Sequence, residues 1–536
     1  MKKLFLSIFS LSILLFTSCN KDVEPTYAGG SSSGTTDSSN VVITPATTYQ
    51  TIESFAASDC WDPNYVGQYW TDTEKSAIAK LLFSKTISNG QPEGIGLSGW
   101  RFNLGGGTAQ QGDDSNIESI ERRAEAFIDP SSGLYDWTKA AGQQYFLEKA
   151  RDYGVSQFVL FSNTPPVNWT QNGKGYSAMG AYSNLKSDAY DDFANYIATV
   201  VEYFKTNKNI DFSLVSPVNE PQYNWDGKDQ EGSGWQNSEI KTLATEINRA
   251  FIEKGLSSRI LLAEAAAWNY VYEQTSDKVG RSNVVKDLFD SSSSNYVGGL
   301  EHVAPIIAGH SYWLDGDWST LTSVRSQVKA SATAKNLKVY QTEWSMLGDG
   351  YSSSEFVGYD NASYMDIALY MSKVIHCDMV YANASSWSYW TSMACERYSQ
   401  KNRFYLIRLI PAGGDYGDIR ESGTHVAGKT LWVLGNYSLF VRPGYKRVDM
   451  QINGTNKTLF GSAYLSEDGK TLVAVYSNLN STVFKAKTQI TNAKIKSIKR
   501  YTTNSSSNLL EAAVDVSASS ISINPQSVVT VVYTLE

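Results

Sequence analysis

The sequence predicts an α/β protein, a (β/α)8 TIM barrel with an attached β-sandwich side domain. Between residues 53 and 438, short apolar runs typical of buried strands alternate eight times with amphipathic helical stretches. From residue 439 to 536 the helical period disappears, and short alternating strands are separated by Asn, Gly and Ser turns. Eight strand-then-helix units predict a closed barrel, whose functional site lies at the C-terminal ends of its strands.

The barrel units can be placed along the chain from their apolar periodicity. The predicted strands are residues 54–58, 96–104, 157–162, 212–217, 260–264, 304–309, 339–342 and 382–390. The predicted helices are residues 72–84, 119–127, 138–153, 187–206, 238–254, 282–290, 317–333, 361–375 and 423–435.

The side domain is predicted from alternating strands near the C-terminus. These are residues 448–452, 463–465, 471–477, 495–501 and 528–533. Residues 41–52 have strand character, precede the barrel and need a sheet partner, so we expect them to join this sandwich. Because no Pro- or Gly-rich linker separates barrel from sandwich, we expect one rigid unit.

The N-terminus is typical of a bacterial export signal. Lys2 and Lys3 precede an apolar stretch, residues 4–16, that is too short to span a bilayer permanently. The residues up to Cys19 resemble a lipobox, which predicts a signal peptide over residues 1–18 and lipidation of Cys19. Residues 19–40, rich in Ser, Gly and Thr, would then be a flexible tether. We expect an outer-membrane lipoprotein of the cell envelope, for which export to the cell surface is one of the two orientations left open; an ordinary cleaved signal peptide is the alternative.

Charge and cysteine content restrict the function classes. The net charge of −8 argues against a nucleic-acid partner, whose phosphates require a basic surface. Besides Cys19 the chain has Cys60, Cys377 and Cys395, an odd number that permits at most one internal disulfide. With only four His and no paired Cys/His spacing, a structural zinc site is not expected.

Two glutamates are the candidate catalytic residues. Glu220 ends the fourth predicted strand and Glu343 ends the seventh. Two carboxyl groups on converging strands predict paired acid/base and nucleophile chemistry. Glu264 also ends a strand, but its alanine neighbours offer no polar company, so we rank it below the other two.

The other strand ends and their loops provide basic, acidic, amide and aromatic side chains that could bind a substrate. They are Arg101, Asn103, Asn163, Trp169, Asn219, Trp225, Glu231, His310, Tyr312, Trp344, Trp387 and Trp390. Aromatic rings stack on the apolar faces of sugars, so this set around one barrel mouth predicts a glycan cleft. Taken singly, each of these side chains is explained equally well by core packing or a surface ion pair.

Six short motifs give the chain a specific resemblance. WRFNLGG (100–106), SNTPP (162–166), VNEP (218–221), QTEW (341–344), WSYW (387–390) and RPG (442–444) resemble glycoside hydrolase family 30 of clan A, over residues 45–536. The resemblance implies a barrel fused to a β-sandwich that hydrolyses β-glycosides with retention. It implies Glu220 as acid/base and Glu343 as nucleophile, with Asn219 on the sugar 2-OH, Arg101 keeping Glu343 ionised and Tyr312 orienting it.

The same resemblance suggests a substrate class. Residues 230–232, Gln-Glu-Gly, are similar to the endo-β-1,6-galactanase-like branch, so we expect an endo-acting enzyme on β-1,6-galactan. Xylan and β-1,6-glucan are alternatives, and so is a surface lipoprotein that binds glycans without cleaving them. We expect a monomer with a polysaccharide or oligosaccharide substrate and no cofactor or metal.

Overall fold

A computed structural model describes residues 37–536 apart from 355, 357, 398–399 and 454–456. The predicted signal peptide, the predicted lipidation site Cys19 and residues 19–36 of the predicted tether lie outside the described residues. Within the described part of the chain, no helix combines the length and apolar character needed to cross a membrane.

Eight parallel strands close into a barrel, which confirms the predicted fold class. We number them barrel strands 1 to 8 in chain order: Ser54–Ser58, Gly99–Asn103, Gln157–Phe161, Phe212–Ser216, Arg259–Ala265, Val303–His310, Lys338–Glu343 and Ala384–Tyr389. Barrel strand 8 pairs with barrel strand 1 from Ser386 opposite Ser54, so no edge remains open. Side chains along each strand alternate between the barrel interior and the surrounding helices.

The helices that surround the barrel include Asp62–Tyr69, Asp72–Phe83, Ala141–Asp152, Tyr190–Lys208, Asn237–Lys254, Val284–Phe289, Trp318–Ala334, Tyr364–Val380 and Lys429–Ser438. Short helical segments span Thr108–Gln111, Asn269–Tyr272 and Asp349–Ser352. Their buried faces supply most of the main apolar core, which lies between helices and barrel.

Two helix predictions are wrong. Residues 119–127 contain only the 3₁₀ turn Ile120–Arg122, because the backbone N–H groups of Ala124 and Ala126 donate to side chains of the short helical segment Thr108–Gln111 instead of to helical carbonyls. The predicted helix over 423–435 divides at Gly428 into a strand, Gly423–Ala427, and the helix Lys429–Ser438. That strand belongs to a small unpredicted sheet with Met393–Cys395 and Ile407–Pro411.

The side domain is a nine-stranded sheet. In spatial order its strands are Leu510–Val514, Ile495–Thr503, Ser527–Leu535, Thr471–Asn478, Leu459–Leu465, Lys446–Ile452, Asp37–Thr51, Phe484–Ile490 and Ile521–Ile523. The strands 484–490, 510–514 and 521–523 were not predicted. Apolar side chains from both ends of this order share one core, so the sheet folds over itself as a sandwich does.

Barrel and side domain are joined by buried contacts as well as by the chain. Asn436, on the last helix of the barrel, donates from Nδ2 to Thr530 Oγ1 at 3.0 Å, and Thr530 Oγ1 donates to the Asn436 carbonyl at 2.6 Å. The ring centroids of Phe440 and Tyr501 lie 4.3 Å apart. The side domain therefore packs directly against the last helix of the barrel.

Candidate active site

The two candidate catalytic carboxyl groups lie together in the barrel mouth. Glu220 follows barrel strand 4 and Glu343 ends barrel strand 7; each is only 5% exposed. One carboxylate oxygen of each, together with a ring nitrogen of His310, forms a group of atoms that all lie within 4.8 Å of one another. Inverting glycosidases hold their two catalytic carboxyl groups about 6.5–9.5 Å apart, which leaves room for a water between them. The observed spacing therefore fits the retaining arrangement.

Glu343 is held by a cation and a phenol. Arg101 Nη1 donates to Glu343 Oε2 at 2.7 Å, and the Tyr312 hydroxyl donates to Oε1 at 3.0 Å. The guanidinium itself lies 3.8 Å from the centre of the Phe161 ring and is almost fully buried. Both carboxylate oxygens of Glu343 are therefore fixed by charged or polar donors, the arrangement expected of a nucleophile held in one orientation.

Glu220 is in the environment of a general acid. Its backbone has φ +45°, a left-handed conformation that is uncommon for a residue with a side chain, and its N–H donates to the Glu264 carbonyl at 3.0 Å. His310 Nδ1 lies 2.8 Å from Glu220 Oε1. Burial raises the pKa of Glu220, although the hydrogen bond with His310 opposes the effect. A raised pKa keeps the proton on the carboxyl group until a leaving oxygen needs it.

Glu264 is the main correction to the sequence interpretation. The sequence predicts no polar neighbours for Glu264. Its side chain is instead fully buried inside the barrel mouth and contacts Ser216, His310 and Arg101. Although burial alone would raise the pKa of this carboxyl group, the Arg101 charge and the hydrogen bond from His310 lower it to about 2. Glu264 is therefore an ionised third carboxylate directly beneath the candidate catalytic pair.

His310 lies between these carboxylates and has no exposed surface, so it does not contact substrate in this conformation. Burial alone would lower the pKa of the imidazole. The Glu343 charge and the hydrogen bonds to Glu220 and Glu264 instead raise the pKa of His310 to about 10. The predicted role of His310 as a substrate-binding residue is therefore replaced by one within the charge network.

Three asparagines line the mouth beside this network. Asn219 Oδ1 accepts from Arg101 Nη2 at 3.0 Å, which turns the amide NH2 group of Asn219 away from the arginine. Asn163 Nδ2 donates to Asn103 Oδ1 at 3.4 Å. The backbone N–H of Asn103 donates at 2.8 Å to Asp59, a buried residue that sequence analysis missed although it follows barrel strand 1 directly.

Comparison with known proteins identifies the family. The sequence pattern that defines O-glycosyl hydrolase family 30 matches residues 38–404, more than half of the chain. This chain belongs to O-glycosyl hydrolase family 30. The predicted family is therefore confirmed.

Individual relatives of this family 30 chain agree with the assignment. It is 28% identical over 269 residues to an endo-β-1,6-galactanase of Hypocrea rufa, a match that covers 46% of this chain and 54% of that protein. It thus spans about half the length of that curated relative. A conserved exported protein from Bacteroides fragilis superposes with a TM-score of 0.84 at 28% identity, over 92% of this chain and all of that one. The xylanase C catalytic domain of Talaromyces cellulolyticus, at 20% identity and a TM-score of 0.64, shares the fold over 92% of this chain and all of that domain.

Two of the predicted substrate-binding tryptophans of this family 30 barrel belong to its core instead. Trp344 and Trp387 have no exposed surface. Their indole N–H groups donate to the buried carboxylates of Asp315 at 2.8 Å and Asp378 at 2.9 Å, on the outer side of the barrel wall. The prediction that they contact substrate is wrong, because both rings point toward the surrounding helices.

Other aromatic side chains do border the open mouth. Trp390 is 4% exposed and packs edge-on against Trp61, with ring centroids 4.9 Å apart. Trp225 is half-buried and donates from Nε1 to the Glu220 carbonyl at 3.2 Å. Tyr223 and Trp313 are 50% and 47% exposed on the loops after barrel strands 4 and 6.

Trp169 is the remaining aromatic residue of the predicted substrate-binding set. The Trp169 ring is half-buried and lies edge-on to Tyr196, with centroids 5.8 Å apart, so much of its surface packs against the core.

Cys60 and Cys395 are thiols, so a disulfide between Cys377 and Cys395 is not formed. Cys60 lies under the mouth, with Asn163 Nδ2 3.7 Å from its sulfur.

Glu231 also differs from its prediction, since its carboxylate is used inside the protein. It accepts from the Gly106 N–H at 3.0 Å and from the Thr108 hydroxyl at 2.6 Å, and it is 2% exposed. These bonds attach the loop after barrel strand 4 to the glycine-rich loop after barrel strand 2. Glu231 therefore shapes the mouth rather than lining it.

The buried position of Glu231 predicts a specific pH dependence of stability. Burial raises the pKa of Glu231 from 4.5 to about 7, although its hydrogen bonds oppose the effect. Between these values the folded protein holds a proton that the unfolded chain has lost, so this group makes stability fall as pH rises, by up to about 1.4 kcal/mol per pH unit. We expect the free energy of unfolding of Glu231→Gln, measured in urea, to fall less steeply than that of the wild type from pH 5 to pH 7. Parallel pH profiles for the two proteins would contradict this prediction.

Proposed function

We propose that this protein is a retaining, endo-acting glycoside hydrolase that cleaves a β-linked polysaccharide, β-1,6-galactan side chains being the first candidate. The observation that carries the proposal is the close pair Glu220 and Glu343, with oxygens within 4.8 Å of each other and different hydrogen-bond partners, His310 and Arg101. Burial raises the pKa of the Glu220 carboxyl group, whereas Glu343 is ion-paired with Arg101 at 2.7 Å. Two carboxyl groups with different environments are what a double displacement requires.

In the first step of the proposed reaction, a carboxylate oxygen of Glu343 attacks the anomeric carbon. Glu220 donates its proton to the glycosidic oxygen, so that the C–O bond breaks and the leaving sugar departs as an alcohol. In the second step, the Glu220 carboxylate takes a proton from water while that water attacks the anomeric carbon and displaces Glu343. Two inversions give net retention, and Glu220 ends the cycle protonated again.

The surrounding residues have proposed roles that follow from their contacts. Tyr312 orients Glu343, with its hydroxyl 3.0 Å from Oε1. Asn219 is fixed by Arg101 through Oδ1, which leaves its NH2 group to donate to the sugar 2-OH. Trp225 and the exposed rings of Tyr223 and Trp313 offer stacking surfaces for sugars on either side of the bond that is cut.

The choice of β-1,6-galactan is supported by the 28% identity over 269 residues to the endo-β-1,6-galactanase of Hypocrea rufa. A xylanase activity is the second candidate, because a stretch of 94 residues is 34% identical to a glucuronoxylanase of Bacillus subtilis. That stretch covers only 18% of this chain, so it carries less weight. β-1,6-glucan remains a further alternative within the family.

Product analysis tests the proposal directly. The purified protein is incubated with β-1,6-galactan, glucuronoxylan and β-1,6-glucan, and the products are separated by chromatography, with the Glu343→Ala protein as the blank. A ladder of oligosaccharides from β-1,6-galactan alone is the expected result. Monosaccharide as the sole product would contradict endo action. No product from any polymer, together with retained polysaccharide binding, would favour the alternative of a non-catalytic glycan-binding protein.

A further inference from the structure

Glu264 connects four barrel strands at one point beneath the site. Its Oε1 accepts from the Ser216 hydroxyl at 2.7 Å and lies 3.7 Å from Arg101 Nη2. Its Oε2 accepts from the Thr342 hydroxyl and lies 3.1 Å from His310 Nε2. These partners come from barrel strands 4, 2, 7 and 6, while Glu264 itself is on barrel strand 5. Since the side chain has no exposed surface, Glu264 cannot touch a substrate and can act only through its neighbours.

The geometry around His310 determines where protons can lie. An ionised Glu264 beside a guanidinium is an acceptor only, so His310 Nε2 must carry a hydrogen. The other ring nitrogen, Nδ1, faces Glu220 Oε1 at 2.8 Å. If the ring were neutral, Nδ1 would be an acceptor, and the proton of Glu220 would lie on Oε1, directed into the protein. If the ring is an imidazolium, Nδ1 donates to Oε1, and the proton of Glu220 must lie on Oε2.

Only the second arrangement leaves the acid ready to protonate a leaving group. Among the described residues, His310 is the side chain that hydrogen-bonds the Glu220 carboxyl group, through Oε1. Glu220 Oε2 is then available to a substrate in the cleft. A proton on Oε2 is transferred to a glycosidic oxygen without first breaking an internal hydrogen bond.

The charges of the network favour the same arrangement. The ionisable groups that face His310 are Glu220, Glu264, Glu343 and Tyr312, and Arg101 joins Glu264 and Glu343 from barrel strand 2. With Glu220 and Tyr312 protonated, the two cations Arg101 and His310 balance the two anions Glu264 and Glu343. Without the charge on Glu264, an imidazolium would leave the buried network with an excess positive charge, which is costly in a low-dielectric interior.

We propose that Glu264 is a positioning residue that keeps His310 as an imidazolium and thereby directs the catalytic proton of Glu220 onto Oε2. The part of this inference that concerns His310 rests on the contacts of Glu264. The part that concerns the catalytic proton rests on the proposed function of Glu220. The balance also holds after the first chemical step, because Glu343 loses its charge in the glycosyl ester as Glu220 gains one.

The protonation state of His310 can be measured without any substrate. The chain has only four histidines, so ¹⁵N-histidine labelling gives few long-range ¹H–¹⁵N signals, and the signals lost in His310→Asn identify His310. In the wild type at pH 8, where an unperturbed imidazole is neutral, we expect both ring nitrogens of His310 to be protonated. In Glu264→Gln we expect the titration midpoint of His310 to fall by about 1–3 pH units, the effect of losing one adjacent opposite charge.

Glu231→Gln is the matched control, since it removes another buried carboxyl group of the barrel mouth whose hydrogen bonds go to Gly106 and Thr108. Its His310 titration should equal that of the wild type. A neutral His310 in the wild type at pH 8 overturns the inference even if Glu264→Gln does not fold. An unchanged midpoint in folded Glu264→Gln overturns it as well.

Kinetics separate a positioning role from a merely structural one. If Glu264 acts through the acid, Glu264→Gln should lose kcat on the natural polymer by a larger factor than on aryl glycosides whose leaving groups need no protonation. An equal loss on both substrates would refute the role in proton placement. If the wild type hydrolyses none of the three polymers, the proposed function fails, whereas the titration of His310 still decides whether Glu264 controls its charge.

Discussion

Replacing Glu343 by alanine is expected to abolish hydrolysis while the barrel stays folded. Without this carboxylate no glycosyl ester can form, and loss of one member of a catalytic set that acts as a unit typically lowers kcat by on the order of 10⁴–10⁶. The fold should persist because Arg101 keeps contacts with Asn219 at 3.0 Å and with Glu264 at 3.7 Å. The measurement pairs initial rates of reducing-end release with a thermal melt followed by circular dichroism.

A surface glutamate provides the comparison for this variant. Glu253 lies on the helix Asn237–Lys254, is 57% exposed and pairs with Arg249 at 2.6 Å. Surface ion pairs of this kind contribute about 0–1 kcal/mol, so Glu253→Gln should leave both rate and melting temperature close to those of the wild type. If Glu343→Ala retains a substantial fraction of the wild-type rate, Glu343 is not the nucleophile.

The barrel was predictable because each of its strands is a short apolar run followed by a helical stretch. Where the prediction failed, long-range contacts competed with local periodicity. Residues 119–127 have apolar spacing suited to a helix, but Ala124 and Ala126 donate their N–H groups to the side chains of Thr108 and Gln110, in the preceding short helical segment. The strand Gly423–Ala427 pairs with Ile407–Pro411, a partner that local sequence does not reveal.

The candidate catalytic pair could be found from sequence because the C-terminal ends of parallel strands converge at one mouth. Applied evenly, the same rule would have kept Glu264. Its alanine neighbours favour a lower rank in the sequence, yet Ala263 and Ala265 pack in the core around the barrel. Residues next to Glu264 along the strand point to the opposite face, so they do not indicate which side chains contact Glu264 inside the barrel. Those contacting side chains come from barrel strands 2, 4, 6 and 7.

The same alternation explains the two tryptophans that were misplaced. Glu343 points into the mouth, so the next residue, Trp344, points outward to Asp315. Trp387 likewise faces the helix Tyr364–Val380, where it donates to Asp378. A Trp next to a catalytic residue in a sequence motif can therefore pack in the outer wall of the barrel instead of lining the cleft. Distances such as the 2.8 Å between His310 and Glu220 depend on strand register and side-chain packing, which require the three-dimensional structure.

Replacing Glu220 by alanine is expected to have an effect that depends on the leaving group. On the natural polymer, the leaving sugar is a poor leaving group unless protonated, so loss of the general acid should lower kcat by about 10²–10⁴. On an aryl glycoside with an acidic phenol as leaving group, the first step needs no proton and should remain fast. Hydrolysis of the glycosyl ester should then be slow, because the base that activates water is also missing. A rapid burst of phenol followed by a slow steady rate is the expected time course.

Azide sharpens this prediction, because a small anion can occupy the space that the Glu220 carboxylate leaves beside His310. It needs no general base, so it should accelerate the slow step and yield a glycosyl azide of retained β configuration, identifiable by NMR. Glu343→Ala supplies the contrast, since without a nucleophile no ester forms and no β-azide can accumulate. Loss of rate by the same factor on polymer and aryl glycoside, with no response to azide, would rule out Glu220 as the acid/base. A β-azide product would instead mean that Glu343 forms the covalent intermediate and Glu220 transfers the protons. The different hydrogen-bond partners of the two carboxyl groups, Arg101 for Glu343 and His310 for Glu220, support this division of roles.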